Sequence, residues 1–294
     1  MKIANPHNRW LHDYVTVAIA QETNANKAVQ NFRLDLESKY GFPVVFERLG
    51  ANGSAGGTVR SYWDQHTDVH RHSIDLEPCD AWSMPAKLAH ELMHIALESE
   101  ANAAGRRRTG VSLIQTHARV LSLCDYPPKR DDCELIVKIA SYAKNMSVDM
   151  VVDARLLQEL PEVTPAQFVN LHQFDSQTRS NLRGWKISAI LRQALKSLAA
   201  VRSLFVDTYF PNPPHSCFEQ FRGTRAGDLG EKLFAEFKSR FDRGLEPGEH
   251  YEIADRHAEI LCLPGLHSWS PKPAFQLHKP ALNLAFATTS LCVT

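Results

Sequence analysis

The stretch Ala89-His90-Glu91-Leu92-Met93-His94 sets two histidines four positions apart, with a glutamate beside the first. On a helix, positions i and i+4 stand one above the other on the same face. Two imidazoles so placed can grip one ion from one side, and Zn²⁺ is the usual occupant of such a pair. Glu91 then sits near the ion without having to bind it. From there it can take a proton from a water that the ion polarises.

This chemistry needs a helix beneath it. Ser83 stands where an N-cap belongs, and Pro85 falls in the first turn, where a missing N–H does no harm. From Ala86 to Ala104 there is no proline or glycine. Gly105 and the cations Arg106, Arg107 and Arg108 read as the stop. Leu88, Leu92, Ile95 and Ala96 form an apolar stripe that must be buried against something.

Two histidines leave zinc short of ligands, because a hydrolytic site uses three protein groups and an open position. The run Asn145-Met146-Ser147-Val148-Asp149-Met150-Val151-Val152-Asp153 offers an acid in an apolar setting. Asp149 and Asp153 stand at i and i+4, and Asn145 continues their row. A carboxylate buried there without a partner is costly, so a cation brought by the histidine helix would satisfy it. Rival acids are Glu98, Glu100 and Glu134. The competing reading pairs Asp149 and Asp153 with Arg155 or Lys144.

The elements that must position these groups begin with two helices, Asn8–Gln21 and Asn24–Tyr40. Strands are expected at Phe42–Leu49, Thr58–Asp64 and His72–Leu76. The glycine-rich Gly50–Gly57 lacks the lysine-serine ending of a phosphate loop and reads as a hairpin connection. A small sheet that feeds an H-E-x-x-H helix resembles the zincin metallopeptidases. By that resemblance the third ligand comes from a later helix through an acid-x-x-x-acid element. Asp149 is then the ligand and Asp153 the acceptor for a ligand histidine's N–H, with Asn145 beside them. The chain departs from the commoner subgroup in having Asp where a Glu is usual; the shorter side chain demands a closer approach of the two helices. The resemblance also implies an edge strand that holds a peptide by strand addition, and His70–Glu77 is the candidate. His66, His70 and His72 form a histidine-rich patch whose polar positions are expected to face water.

After the motif, Val111–Leu123 reads as a helix and Asp132–Leu160 as a long one, with a Pro-Pro turn between them. Beyond Pro161 the helices expected are Thr164–Leu171, Ser180–Phe205 and Gly227–Gly244, with a chain break at Phe210–His215. From Leu245 the sequence is loop-rich, and His250, His257 and His267 are unplaced. The division expected is a zincin-like domain over 1–160 and a mainly helical region over 161–294 that meets substrate or a partner.

Composition narrows the classes. A hydrophobic fraction of 44% supports a sizeable core, and 33 Lys+Arg against 33 Asp+Glu argues against broad attraction to nucleic acid or an anionic membrane. No apolar run is long enough to cross a bilayer, and the first residues lack a signal peptide's apolar core. Cys79, Cys124, Cys133, Cys217, Cys262 and Cys292 are scattered and read as reduced thiols of a cytoplasmic protein; Cys124 and Cys133 would bridge only if exported.

The expectation is therefore an α+β, zincin-like fold with a small, mainly antiparallel sheet packed on the histidine helix. The expected activity is zinc-dependent hydrolysis of peptide bonds in a protein or peptide substrate. His90, His94 and Asp149 hold Zn²⁺, Glu91 is the general base, and Tyr142, His117 and Tyr126 are candidate oxyanion donors. The alternative is a catalytically inactive zincin-like binding or regulatory module with a structural metal or none. Peptide deformylases share the motif, but their cysteine and glutamine elements are not visible here.

Overall fold

The computed structural model describes residues 6–48, 57–67, 69–76, 78–112, 130–172, 188–210, 216–263, 267–272 and 275. Among them lie seven α-helices: α1 (Pro6–Tyr40), α2 (Met84–Ala103), α3 (Arg130–Glu159), α4 (164–172), α5 (Ala189–Tyr209), α6 (Arg225–Phe241) and α7 (Glu249–Ile260). The strands are β1 (Val44–Arg48), β2 (Gly57–Asp64), β3 (Val69–Leu76), β4 (Arg108–Ser112) and β5 (His267–Pro271). The class is α+β. No described helix is long and apolar enough to cross a membrane.

The two helices expected before Tyr40 are one. The break expected between Gln21 and Asn24 is absent, and Ala18, Ala25, Val29 and Leu36 are all buried and fall on one stripe running through that stretch. With no glycine or proline between Pro6 and Tyr40, nothing ends the helix until Gly41, whose φ is +75°.

The three-stranded sheet has the order β1-β3-β2 and is mixed, not mainly antiparallel. β1 runs parallel to β3 and β2 antiparallel to it, so β1 and β2 are not neighbours and Gly50–Gly57 joins no hairpin between them. The tight connection lies between β2 and β3. The segment His70–Glu77, expected as an edge, is the central strand up to Leu76, and Glu77 lies outside the described residues. Both its rows of backbone groups are used. His72, Ser73, Ile74, Asp75 and Leu76 are consecutively buried, the signature of a strand covered on both faces. His72 and His70 accordingly pack against Phe42 and Phe275 instead of facing water.

Helix α2 packs against α1, α3, β2 and β3. Pro85 does sit in its first turn, but Ser83 makes no cap and donates to Asn170 Oδ1 on α4 at 2.7 Å. The helix stops at Gly105, with φ +69°, and no cation stands in its last turn. Arg106 pairs with Glu246 and Glu252, and Arg107 with Glu98 at 2.8 Å. Arg108 to Ser112 form strand β4, where the start of a helix at Val111 was expected; residues 113–129, with the Pro-Pro turn and Cys124, lie outside the described residues.

Helix α3 matches its expected span within two residues, and α4 and α6 appear where expected. Ala189–Tyr209 is capped by Ser188, whose side chain accepts from Leu191 N; the earlier part of that expected helix, 180–187, and most of the break at 211–215 are not described. The stretch after Leu245 is more ordered than its prolines suggested. It forms α7 and then β5, which pairs antiparallel with β4 and returns the chain to the end of α2. A single cluster of buried apolar side chains runs from Ala18 on α1 through Val151 on α3 and Leu198 on α5 to Leu263.

Three buried histidines are neutral. Burial pushes His72 down to about 4, His257 to about 4 and His250 to about 3. His257 Nε2 lies 2.9 Å from the Leu233 carbonyl and must donate to it, which leaves Nδ1 to accept from Ser147 Oγ at 2.8 Å. Unfolded, each ring would take up a proton below about pH 6.5. Stability is therefore whole above that pH and falls as pH drops toward about 4, by an order of 3 kcal/mol per ring. Urea unfolding at a series of pH values should show this slope, and His257→Gln should flatten it; an unchanged slope would contradict the neutral assignment.

Candidate metal centre

Helices α2 and α3 meet through small and flexible apolar residues. Ala89, Leu92, Met93 and Ala96 on the first, and Met146, Met150 and Val151 on the second, are all buried. Asp149, one methylene shorter than glutamate, reaches His90 and His94 across this contact. His90 and His94 form one row of α2, and their side chains are 26% and 27% exposed; Asp149 is 28% exposed on α3. The centre is a partly exposed polar group beside buried apolar side chains.

The distances are those of a shared ligand. His90 Nε2 lies 3.1 Å from His94 Nε2, His94 Nε2 lies 3.2 Å from Asp149 Oδ1, and His90 Nε2 lies 3.6 Å from the same oxygen. Zinc bonds of about 2.0–2.1 Å at tetrahedral angles put ligand atoms roughly 3.3 Å apart. The three edges bracket that value, so the residues fit the ion. Two imidazoles and one carboxylate also suit zinc better than calcium or magnesium, which favour oxygen. Among the described residues this is the one group of three or more such side chains able to hold a metal.

Asp153 supports the first histidine. It is 4% exposed, and its Oδ1 lies 3.2 Å from His90 Nδ1. An ionised carboxylate can only accept, so Nδ1 donates to Asp153, and Nε2 is the nitrogen turned toward Asp149 and His94. Gln167 on α4 is also buried and donates to Asp153 Oδ1 at 3.1 Å and to the Asp153 carbonyl at 3.0 Å. Nothing in the sequence marks Gln167, one of several polar residues in a short helix. Asn145, the remaining member of the expected row, is exposed.

The rival acids are engaged elsewhere. Glu98 pairs with Arg107 and with Lys272, and Glu100 takes both arms of the Arg155 guanidinium at 2.7 and 3.0 Å. Arg155 is thereby spent on Glu100 and Glu159, and Lys144 sits over the Trp269 ring, so neither neutralises the two aspartates. The side chain of Glu134 is not among those described. Glu91 is 9% exposed on the turn that carries both histidines. Tyr142 lies on α3 and is partly buried, while His117 and Tyr126 lie outside the described residues. Of the late histidines, His250 is buried near enough to His94 for that ring to oppose its charging, after the larger effect of burial.

Electrostatics hold the cluster together. Burial works against charge on His90, but the hydrogen bonds it donates to Asp149 and Asp153 outweigh it and hold its pKa well above 6.5. Burial raises Asp149, and the two histidines more than reverse this, so its carboxyl stays far below the usual range. At neutral pH the metal-free His90 is thus cationic and must shed a proton before Nε2 can donate. Zinc affinity should therefore rise with pH up to the raised pKa of His90, with about one proton released per ion at neutral pH. Titration calorimetry in buffers of different ionisation heat would measure that release; zinc uptake without it would contradict the charge assignment of His90.

No family model, curated protein or solved structure matches this chain.

Proposed function

We propose that the protein is a zinc-dependent endopeptidase. The observation that carries the proposal is the triangle of His90 Nε2, His94 Nε2 and Asp149 Oδ1, built from two helices at the edge lengths of a tetrahedral site. Three protein ligands leave one corner for a water or a substrate oxygen, which is the hydrolytic arrangement. The helix that carries the pair also follows a small sheet directly, as in the zincins.

His90, His94 and Asp149 would hold the zinc, which would supply a water of near-neutral pKa and polarise a carbonyl. Glu91 would serve as the base for that water's proton and return it to the leaving amine. Asp153 holds the His90 ring so that Nε2, not Nδ1, is the donor. In this reading residues 1–160 carry the catalytic unit, and the helices of 161–294 flank it and meet the polypeptide. Cytoplasmic residence belongs to the same proposal and is supported by the scattered spacing of the six cysteines, which reads as that of reduced thiols.

One observation favours a second reading, a binding or regulatory module with a structural metal. The strand expected to hold a peptide is the centre of the sheet, paired with β2 along its length and with β1 from His72 to Leu76. Cleavage of an unfolded polypeptide separates the two readings. For an endopeptidase it is abolished by a chelator and restored by zinc. Glu91→Gln should retain zinc by elemental analysis and lose about 10²-fold or more in rate, whereas Asp149→Ala should lose the zinc itself. Parental cleavage by Glu91→Gln would remove Glu91 from the mechanism, and absence of zinc from the parent would remove the metal centre.

A further inference from the structure

Helix α4 lies outside the two helices that supply the ligands, yet it reaches the centre. Gln167 is 4% exposed, and its Nε2 meets two oxygens of Asp153, Oδ1 at 3.1 Å and the carbonyl at 3.0 Å. Both oxygens only accept, so the amide cannot be turned over, and Nε2 must be the atom that faces Asp153. This leaves Gln167 Oε1 buried with no hydrogen-bond partner among the described residues. An orphaned acceptor in a buried position is costly and calls for an explanation. A methionine would fill the same space without that cost.

The explanation lies in the atom that Gln167 shares. Asp153 Oδ1 is also the oxygen 3.2 Å from His90 Nδ1. We propose that Gln167 is a positioning residue of the metal centre: its N–H and that of His90 converge on Asp153 Oδ1 and fix the carboxylate in the one rotamer that aims His90 Nε2 at the ion. Resting on the zinc reading above, this adds a third layer to it, Gln167 to Asp153 to His90, and gives the chain beyond residue 160 a part in ion binding. With one donor removed, Asp153 is free to rotate, His90 loses its fixed ring angle, and the ion is held less well.

A neighbouring bond provides an internal control. Ser83 Oγ donates to Asn170 Oδ1 at 2.7 Å, which ties α4 to the start of α2 without touching Asp153. The experiment measures zinc dissociation constants of the full chain by competition with a chromophoric chelator, for the parent, Gln167→Met, Gln167→Glu and Ser83→Ala. Thermal unfolding of each metal-free protein runs alongside. Gln167→Met removes donor and orphan together and should keep the fold while weakening zinc about tenfold. Gln167→Glu sets a carboxylate oxygen against two acceptors and should weaken zinc at least as much. Ser83→Ala should leave the affinity unchanged, whatever it does to the melting temperature. Parental zinc affinity in Gln167→Met would overturn the proposal, as would equal weakening in Ser83→Ala, which would mean that α4 acts only by docking. Either result leaves the zinc centre standing. A parent that binds no zinc brings down the centre and this inference together.

Discussion

Two helices with apolar contact faces meet here over two imidazoles and two carboxylates, and the structure depends on how that polar cluster is balanced. Asp149 and Asp153 could not sit on the valine- and methionine-rich face of α3 uncompensated, since a buried charge without a partner costs more than the packing around it returns. The compensation comes from α2. His90 touches both aspartates, one through each ring nitrogen, and His94 shares Asp149. In the structure the His90 imidazolium serves as counter-ion to both aspartates; a metal held by the same atoms would take that place.

The centre was largely legible in the sequence because its spacing is a helical spacing. His90 and His94, and Asp149 and Asp153, are i,i+4 pairs, and a pair of that kind in an unbroken helix has one face to occupy. The apolar neighbours of the two aspartates marked that face as buried, and an acid marked as buried needs a cation. Gln167 carried no such signal. Its role depends on where α4 packs, and a glutamine flanked by Ala166 and Phe168 looks the same whether it meets solvent or a carboxylate.

The sheet was legible as strands and illegible as a topology. Alternation of Ile74 and Leu76 pointed to a strand with one wet face, but His72, Ser73 and Asp75 are buried as well, each for a tertiary reason. His72 has Ser61 across the strand pair and Phe275 against its ring, and Asp75 has Arg60 as an ion partner. Polar residues inside a sheet with partners of this kind read as an exposed edge until the partners are known. The late chain misled for the opposite reason: its prolines flank α7 without entering it, so the loop signal around Leu245 concealed a helix with buried Ile253 and Ala254.

The return of the chain's far end to α2 has a consequence for how the molecule is made. Phe275 N donates to Asn102 across 173 positions, and Lys272 reaches Glu98 across 174. Asp153 meets His90 over a separation of 63. Contacts so distant along the chain form late, since the entropy of closing long loops must be overcome before they reward it. During synthesis the histidine helix leaves the ribosome with neither its acids nor its final cover. Until α3 and α4 follow, its buried face is an uncovered apolar surface.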